Sequence, residues 1–284
     1  CHHFSRELHV AGDKVFLHIG GYRQGAWKYI LDFYRVENRM LSKMLKDYPC
    51  DILHAHWTYE FALPVVDSGL PHVVSMRDAP LKVLQLYRPK TFRIMTCLLA
   101  YYNLFRAKNV LTASPYMAEY CRKWHAYKRP ISIIPNAVSA KTFFAGEQCP
   151  APEGKVVFAC IANGFRGCKN VDTLLKAFNI LIMSTSIKCE LRLYGGQHVR
   201  NGESEIWARQ HNLLQDVVFC GHRNHDELMQ EVRRTSHVLV HPSLEESFGN
   251  VIAEAMALGL PTIVGEKSGA APWVAGEGKA GLLV

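Results

Sequence analysis

Residues 241–260 read HPSLEESFGNVIAEAMALGL, and the fold is decided there. The stretch follows a short apolar run, residues 237–240, expected as a buried strand. It passes through a turn holding Ser243, Ser247 and Gly249 into a run rich in Ala, Ile, Met and Leu. That run is expected to be a helix over about residues 250–258, because Gly259 offers a left-handed stop and Pro261 forbids continuation. A strand, a tight turn and a helix start aim free amide N–H groups and a positive dipole end beyond the strand's carboxyl end. Such a place binds anions, and phosphate is the usual occupant. Two acids flank it. Glu246 stands in the turn and Glu254 eight residues on, up to about 12 Å away along a helical rise. That separation is poor for sharing a proton and suits holding two ends of one elongated, hydroxyl-rich ligand.

Upstream of this stretch, strand and helix patterns alternate. In the second half, strands are expected at residues 155–161 (KVVFACI), 189–194 (CELRLY), 216–220 (DVVFC) and 261–264 (PTIV). Helices are expected at residues 170–182, 203–211 and 225–234, the last opened by Asn224. In the first half, strands are expected at residues 14–19, 51–57, 71–76, 109–113 and 131–134. Helices are expected at residues 26–48, 59–68 and 91–107, with another from Pro115 capped by Ser114. The strands are continuously apolar rather than alternating, which indicates parallel sheets covered by helices on both faces. Residues 142–154 (TFFAGEQCPAPEG) carry two prolines and two glycines without periodicity. They read as a linker between domains at residues 1–145 and 155–284.

Ligands of such sheets bind outside the carboxyl ends of the strands. One loop there reads NGFRGCKN, residues 163–170. Its glycines free the backbone, and Arg166 and Lys169 supply two cations at a helix N-terminus, the combination a diphosphate needs. No GKS or GKT follows, so the loop is not a Walker motif and an ATPase reading is poor. Strand ends in the first half present Gly20-Gly21, His54, His56, Arg77, Asp78, Ser114 and Asn136. His54 and His56 share one strand face, so one can support the other.

Composition sets the outer limits. The 284 residues are 49% hydrophobic and 20% charged, an ordinary globular balance, with a formal charge of +8. No Lys/Arg block interleaved with aromatics points to nucleic acid. A basic surface suits an enzyme of anionic substrates, with peripheral contact at an anionic membrane face. Nine cysteines without a CxxC pair argue for a reducing cytoplasm, and fourteen histidines show no HExxH spacing. No run approaches the roughly twenty apolar residues of a membrane span. The longest candidate, residues 94–104, contains Cys97, Tyr101, Tyr102 and Asn103 and is expected as a core helix. The chain opens on Cys and closes within GKAGLLV, and is expected to be incomplete at both ends.

Glutamate, seven residues, glutamate, with Ser247-Phe248-Gly249 after the first acid, closely resembles the donor-site signature of family 4 retaining glycosyltransferases. The resemblance implies the GT-B fold: α/β, with two doubly wound, Rossmann-like parallel-sheet domains facing across a cleft. The first would take the acceptor and the second a nucleotide diphosphate sugar. Glu246 would be the sugar-side acid and Glu254 the ribose-side one, with Arg166 and Lys169 against the diphosphate. Ser247, Phe248, Gly249, Asn250, Asn163 and Gly164 would complete the donor site, with Gly195 and His222 shaping the nucleotide pocket. On the acceptor side stand His56, Arg77 and Asp78. The family commonly has a histidine before that acid; here the position is Arg77, so the role passes to His56 or Asp78. Trp273 stands where the family often has an acid and is expected only to pack.

The activity implied is transfer of a sugar to an acceptor hydroxyl, saccharide or lipid-linked, with retention, in polysaccharide or glycolipid synthesis. No bound cofactor or metal is implied, since two cations and a helix dipole serve the diphosphate. Two alternatives stay open: a nucleotide-sugar epimerase of the same shape, and a non-catalytic nucleotide-sugar-binding partial chain.

Overall fold

A computed structural model describes residues 8–20, 23, 28, 31–87, 90–143 and 154–284. Its contacts divide the chain into two units, Cys1–Ile134 and Pro135–Val284. Of the expected linker, residues 144–153 lie outside the described residues, as does Gly21 of the Gly20-Gly21 pair.

In the first unit, β1 (Leu8–Ala11) and β2 (Phe16–Ile19) pair antiparallel, with Leu8 opposite Ile19. The expected strand at residues 14–19 therefore belongs to a hairpin of its own rather than to the parallel alternation. Its turn is closed by Gly12 N–H donating to the Val15 carbonyl at 2.8 Å. The parallel sheet consists of β3 (Leu53–His56), β4 (His72–Met76), β5 (Val110–Thr112) and β6 (Ile131–Ile133), side by side in chain order. Leu53, Ala55, Val74 and Met76 pack there against Ala62, Val66, Leu104 and Met117 from the covering helices. Ser114 caps the Pro115–His125 helix as expected, its Oγ accepting from Met117 N–H at 3.3 Å.

Two expected helices differ. The one predicted over residues 26–48 is interrupted at Phe33-Tyr34: residues 28, 31 and 32 are helical, the helix resumes as Arg35–Asp47, and residues 26–27 and 29–30 lie outside the described residues. Phe33 and Tyr34 have φ of 51° and 60°, left-handed values that no α-helix accommodates. The kink drives Tyr34 into the core, 1% exposed, against Met95 and Leu99. The predicted core helix at residues 94–104 lies within Lys90–Arg106, but only one side of it is core. Met95, Leu99 and Leu104 are buried, whereas Leu98 and Phe105 are 57% and 83% exposed.

In the second unit the six parallel strands are β7 (Lys155–Ile161), β8 (Lys188–Tyr194), β9 (Val217–Gly221), β10 (Val238–His241), β11 (Thr262–Val264) and β12 (Gly281–Leu283). Their order is β12-β11-β10-β7-β8-β9, the doubly wound order in which chain direction reverses between the first and fourth strands. Neighbouring strand residues point to opposite faces, and the cores follow. Cys160 and Leu193 join the Val171–Ser184 and Glu203–Gln210 helices on one face. Ala159 and Tyr194 join the His225–Thr235 and Asn250–Ala257 helices on the other.

After β8 the chain turns at Gly195, whose φ is +138° and where an added Cβ would sit 2.0 Å from the Ala162 carbonyl oxygen. Gly196 next to it has open space. Gly195→Ala is therefore expected to destabilise the second unit by about 2 kcal/mol or more, and Gly196→Ala to stay within about 0.5 kcal/mol. Urea unfolding of the two variants checks this, and equal midpoints would refute it.

Candidate active site

The order reversal places the ends of β7 and β10 side by side, and the two loops that follow them are tied together. Leu244 N–H donates to the Cys168 carbonyl at 2.7 Å, the Cys168 thiol to the Glu245 carbonyl at 3.1 Å, and the Asn170 side-chain amide to the Pro242 carbonyl at 3.2 Å. Above these ties, Lys169 Nζ donates to Glu246 Oε1 at 2.6 Å, and His241 Nε2 lies 3.0 Å from the same oxygen. Burial pushes the Glu246 carboxyl up, but the His241 hydrogen bond and the Lys169 charge outweigh it and hold the pKa at about 2. The acid is thus ionised at any physiological pH.

The turn carrying Glu246 is braced from behind. Ala270 N–H donates to the Glu246 carbonyl at 2.8 Å, and the Ser268 hydroxyl to the Ser243 carbonyl. Gly269 lies between, at φ +62°, where a Cβ would come within 2.4 Å of the Glu246 carbonyl oxygen. Phe248 is buried and meets Trp273 edge-on at 6.2 Å, the packing role expected of that tryptophan. Gly249, at φ +91°, then opens the Asn250–Ala257 helix. Asn250 Oδ1 accepts from the Asn136 side-chain amide at 2.7 Å. One helical stretch further, Glu254 Oε1 lies 2.9 Å from His225 Nε2.

The other residues expected on the donor side lie on the loops after β7, β8, β9 and β10. Gly164, at φ +125°, donates its N–H to Gln197 Oε1 at 2.9 Å, joining the loops after β7 and β8. Arg166 is exposed, its guanidinium 5.4 Å from the Phe165 ring and 5.3 Å from the Trp207 ring. Asn163 and His222 are exposed, and Ser247 is half-buried. In the first unit, His54 and His56 share a face, their rings 4.4 Å apart, and His54 Nε2 lies 2.7 Å from Ser75 Oγ. Burial, then the charges of His56 and Arg77, lower the His54 pKa. Asp78 accepts from the Tyr59 hydroxyl at 2.8 Å on each oxygen, and burial pushes its pKa up. The turn bearing Tyr59 is fixed by the buried Asn103 amide, which donates to the Thr58 and Tyr59 carbonyls at 2.9 and 2.8 Å.

Two family descriptions match this chain: Glycosyltransferase Family 4 over residues 2–141, and Glycosyl transferases group 1 over residues 146–284. The chain belongs to these glycosyltransferases. EpsF of Bacillus subtilis (strain 168), whose name describes it as a glycosyltransferase, is 33% identical over 144 residues. The match takes in 48% of this chain and 36% of EpsF, so this chain matches little more than a third of that relative's length. Sucrose-phosphate synthase from Thermosynechococcus elongatus superposes with a TM-score of 0.75 at 20% identity, over 92% of this chain and 67% of its own. Anabaena HepE, solved with UDP and glucose, gives 0.64 at 17%, over 89% and 69%. At those identities the likeness is one of fold.

For this glycosyltransferase chain, the motif reading named Glu246 and Glu254 but neither of their histidines. His241 opens the quoted stretch, five residues before Glu246, yet only the bend of the turn brings it back onto the acid. His225 stands 29 residues before Glu254 and meets it because their two helices cover the same sheet face. Gln197 and Gly269 carry no signal that sequence alone distinguishes from ordinary loop residues, and Asn136 stands out only as a polar residue at a strand end.

Hydrogen bonding to Glu254 raises the His225 pKa above 6.5, against a smaller opposing effect of burial. The contribution of this contact to stability is therefore full below 6.5 and is lost as pH rises through the raised value. In an NMR pH titration, Glu254→Gln is expected to bring the His225 midpoint back down; an unmoved midpoint would show the two do not interact.

Proposed function

We propose that this chain carries the donor site of a retaining glycosyltransferase. A sugar leaves a nucleotide diphosphate sugar and joins an acceptor hydroxyl, its anomeric configuration kept, in polysaccharide or glycolipid synthesis. The bond from the anomeric carbon to the diphosphate oxygen breaks, and its electron pair leaves with the nucleoside diphosphate. The acceptor oxygen bonds to that carbon, and its proton passes to the departing diphosphate or to solvent.

One observation carries the reading. At the order reversal of a doubly wound sheet, Lys169 and buried His241 converge on a single oxygen of Glu246, beside the start of the Asn250–Ala257 helix. Ligands of such sheets bind at this reversal. A lysine and helix-opening amides there suit the charge that builds on a leaving diphosphate, and such preorganised electrostatics is usually the largest contribution to a transfer of this kind. Arg166 is assigned to the same diphosphate from its place in the loop after β7. Glu246, kept ionised, orients the donor sugar. Glu254 accepts the two ribose hydroxyls, for which a carboxylate has the acceptor capacity. His56 and Asp78 are assigned to the acceptor. The UDP and glucose held by Anabaena HepE, of the same fold, support a donor of this class.

The test is calorimetric binding and turnover across UDP-, GDP- and ADP-sugars. One nucleotide class is expected to bind, with Glu254→Ala weakening it about tenfold or more and Lys169→Ala lowering kcat by about 10²–10³. Turnover is expected to persist in EDTA, since the charge on the diphosphate is assigned to protein cations. Binding of no class, or binding indifferent to Glu254, would remove the donor reading. Loss of turnover in EDTA, restored by a divalent cation, would remove the metal-independent one.

A further inference from the structure

The Lys90–Arg106 helix is apolar on two sides, and only one is used by the core. Ile94, Leu98, Tyr101, Tyr102 and Phe105 lie on the other side and are all exposed. Their spacing of four, three, one and three residues makes a single stripe along the helix. A helix apolar all round belongs inside a protein or against lipid, and a continuous exposed apolar patch marks an interaction surface. The stripe continues onto the next helix: the Tyr101 hydroxyl donates to the Trp124 carbonyl, and Trp124 is itself 47% exposed.

Cations accompany these aromatic rings. The Arg106 guanidinium lies 5.5 Å from the Tyr102 ring, and Lys123 Nζ lies 5.6 Å from the Trp124 ring. The stretch of sequence that contains the stripe is strongly basic. Residues 79–130 hold ten of its Lys and Arg and one acid, Glu119, a net +9 against +8 for all 284 residues. The other acid beside the stripe, Asp67, is paired with Arg106 at 3.1 Å. A basic rim around an apolar stripe with tyrosine and tryptophan fits the interface of an anionic bilayer. A second copy of the chain fits it poorly, because a symmetric pairing would set one +9 region against another. Seventeen residues extend about 25 Å, short of the roughly 30 Å hydrocarbon core, and among the described residues no helix is long and apolar enough to cross a membrane. The helix would thus lie on the bilayer rather than span it.

We infer that the first unit docks on an anionic phospholipid bilayer through the Ile94–Phe105 stripe and Trp124. The stripe sits at the boundary of headgroups and acyl chains, and the surrounding lysines and arginines lie on the headgroups. This inference is independent of the donor reading, because nothing in it involves the second unit.

Flotation of the chain with vesicles tests it, using phosphatidylcholine alone and an equal mixture of phosphatidylcholine and phosphatidylglycerol. Binding is expected to the mixed vesicles and to weaken as salt rises. Leu98→Ser with Phe105→Ser is expected to reduce it about tenfold or more, and Lys108→Ala and Lys123→Ala about fivefold each. Far-UV circular dichroism and the thermal midpoint of each variant identify any loss due to unfolding; the two lysine variants, wholly at the surface, keep the test decisive if the double variant unfolds. The inference is overturned by no binding to mixed vesicles, by equal binding of folded variants, or by a solution dimer that Leu98→Ser with Phe105→Ser dissolves.

Discussion

A single carboxylate oxygen holds the candidate site together. Glu246 Oε1 takes hydrogen bonds from a lysine on the loop after β7 and from a histidine at the end of β10, at 2.6 and 3.0 Å. Lys169 could not reach it if β7 and β10 were not neighbours in the sheet, while the bend of the turn returns His241 onto it. The carboxylate is largely buried, and the cost of removing it from water is met only because both donors are present. Removing one partner of such a pair typically costs about 3–5 kcal/mol, since the other charge stays buried and uncompensated. The contact therefore adds to the three ties beneath it, one between backbone groups and two from side chains to backbone, in fixing the relation of the two loops. It also leaves Glu246 negative, beside the cations of a site suited to a negative ligand.

The second acid is held more loosely, and that difference has chemical meaning. Among the described residues the Glu254 side chain has one partner, His225, whose own side chain is half exposed. A hydroxyl-rich ligand can replace that contact at little cost, whereas the Glu246 centre is preorganised before any ligand arrives. In the donor site proposed above, this gives a rigid centre where charge is to be stabilised and an exchangeable acid eight residues away for recognition, the division of labour an electrostatic transfer site calls for. The Asn250–Ala257 helix connects the two: its start adjoins the Glu246 turn and its second turn carries Glu254.

Much of this architecture was legible in the chain, and what was not shares one cause. Continuously apolar strands, Ser114 as a cap and Gly259-Leu260-Pro261 as a stop are local signals, and the elements they mark are present. Strand order is not local. Nothing within residues 155–161 or 238–241 says that these strands adjoin, so the ion pair of Lys169 with Glu246, 77 residues apart, was not foreseen; the family resemblance placed both residues at one donor site without pairing them. The broken helix at Phe33-Tyr34 failed for a related reason: its apolar spacing is good, but burial of Tyr34 against Met95 and Leu99 overrides local preference with two left-handed residues. Residues 94–104 show the opposite limit. Apolar content correctly predicted a helix, but could not show that a second apolar face would be left uncovered.

The central claim is that a nucleotide diphosphate group sits on the loops after β7 and β10. Amide hydrogen exchange, with and without UDP, GDP or ADP, tests it most directly. The account predicts that one nucleotide slows exchange at residues 164–171 and 246–252, leaving the amides around His54–Asp78 in the first unit unchanged. Protection confined to other parts of the chain, or none with any of the three, would contradict it.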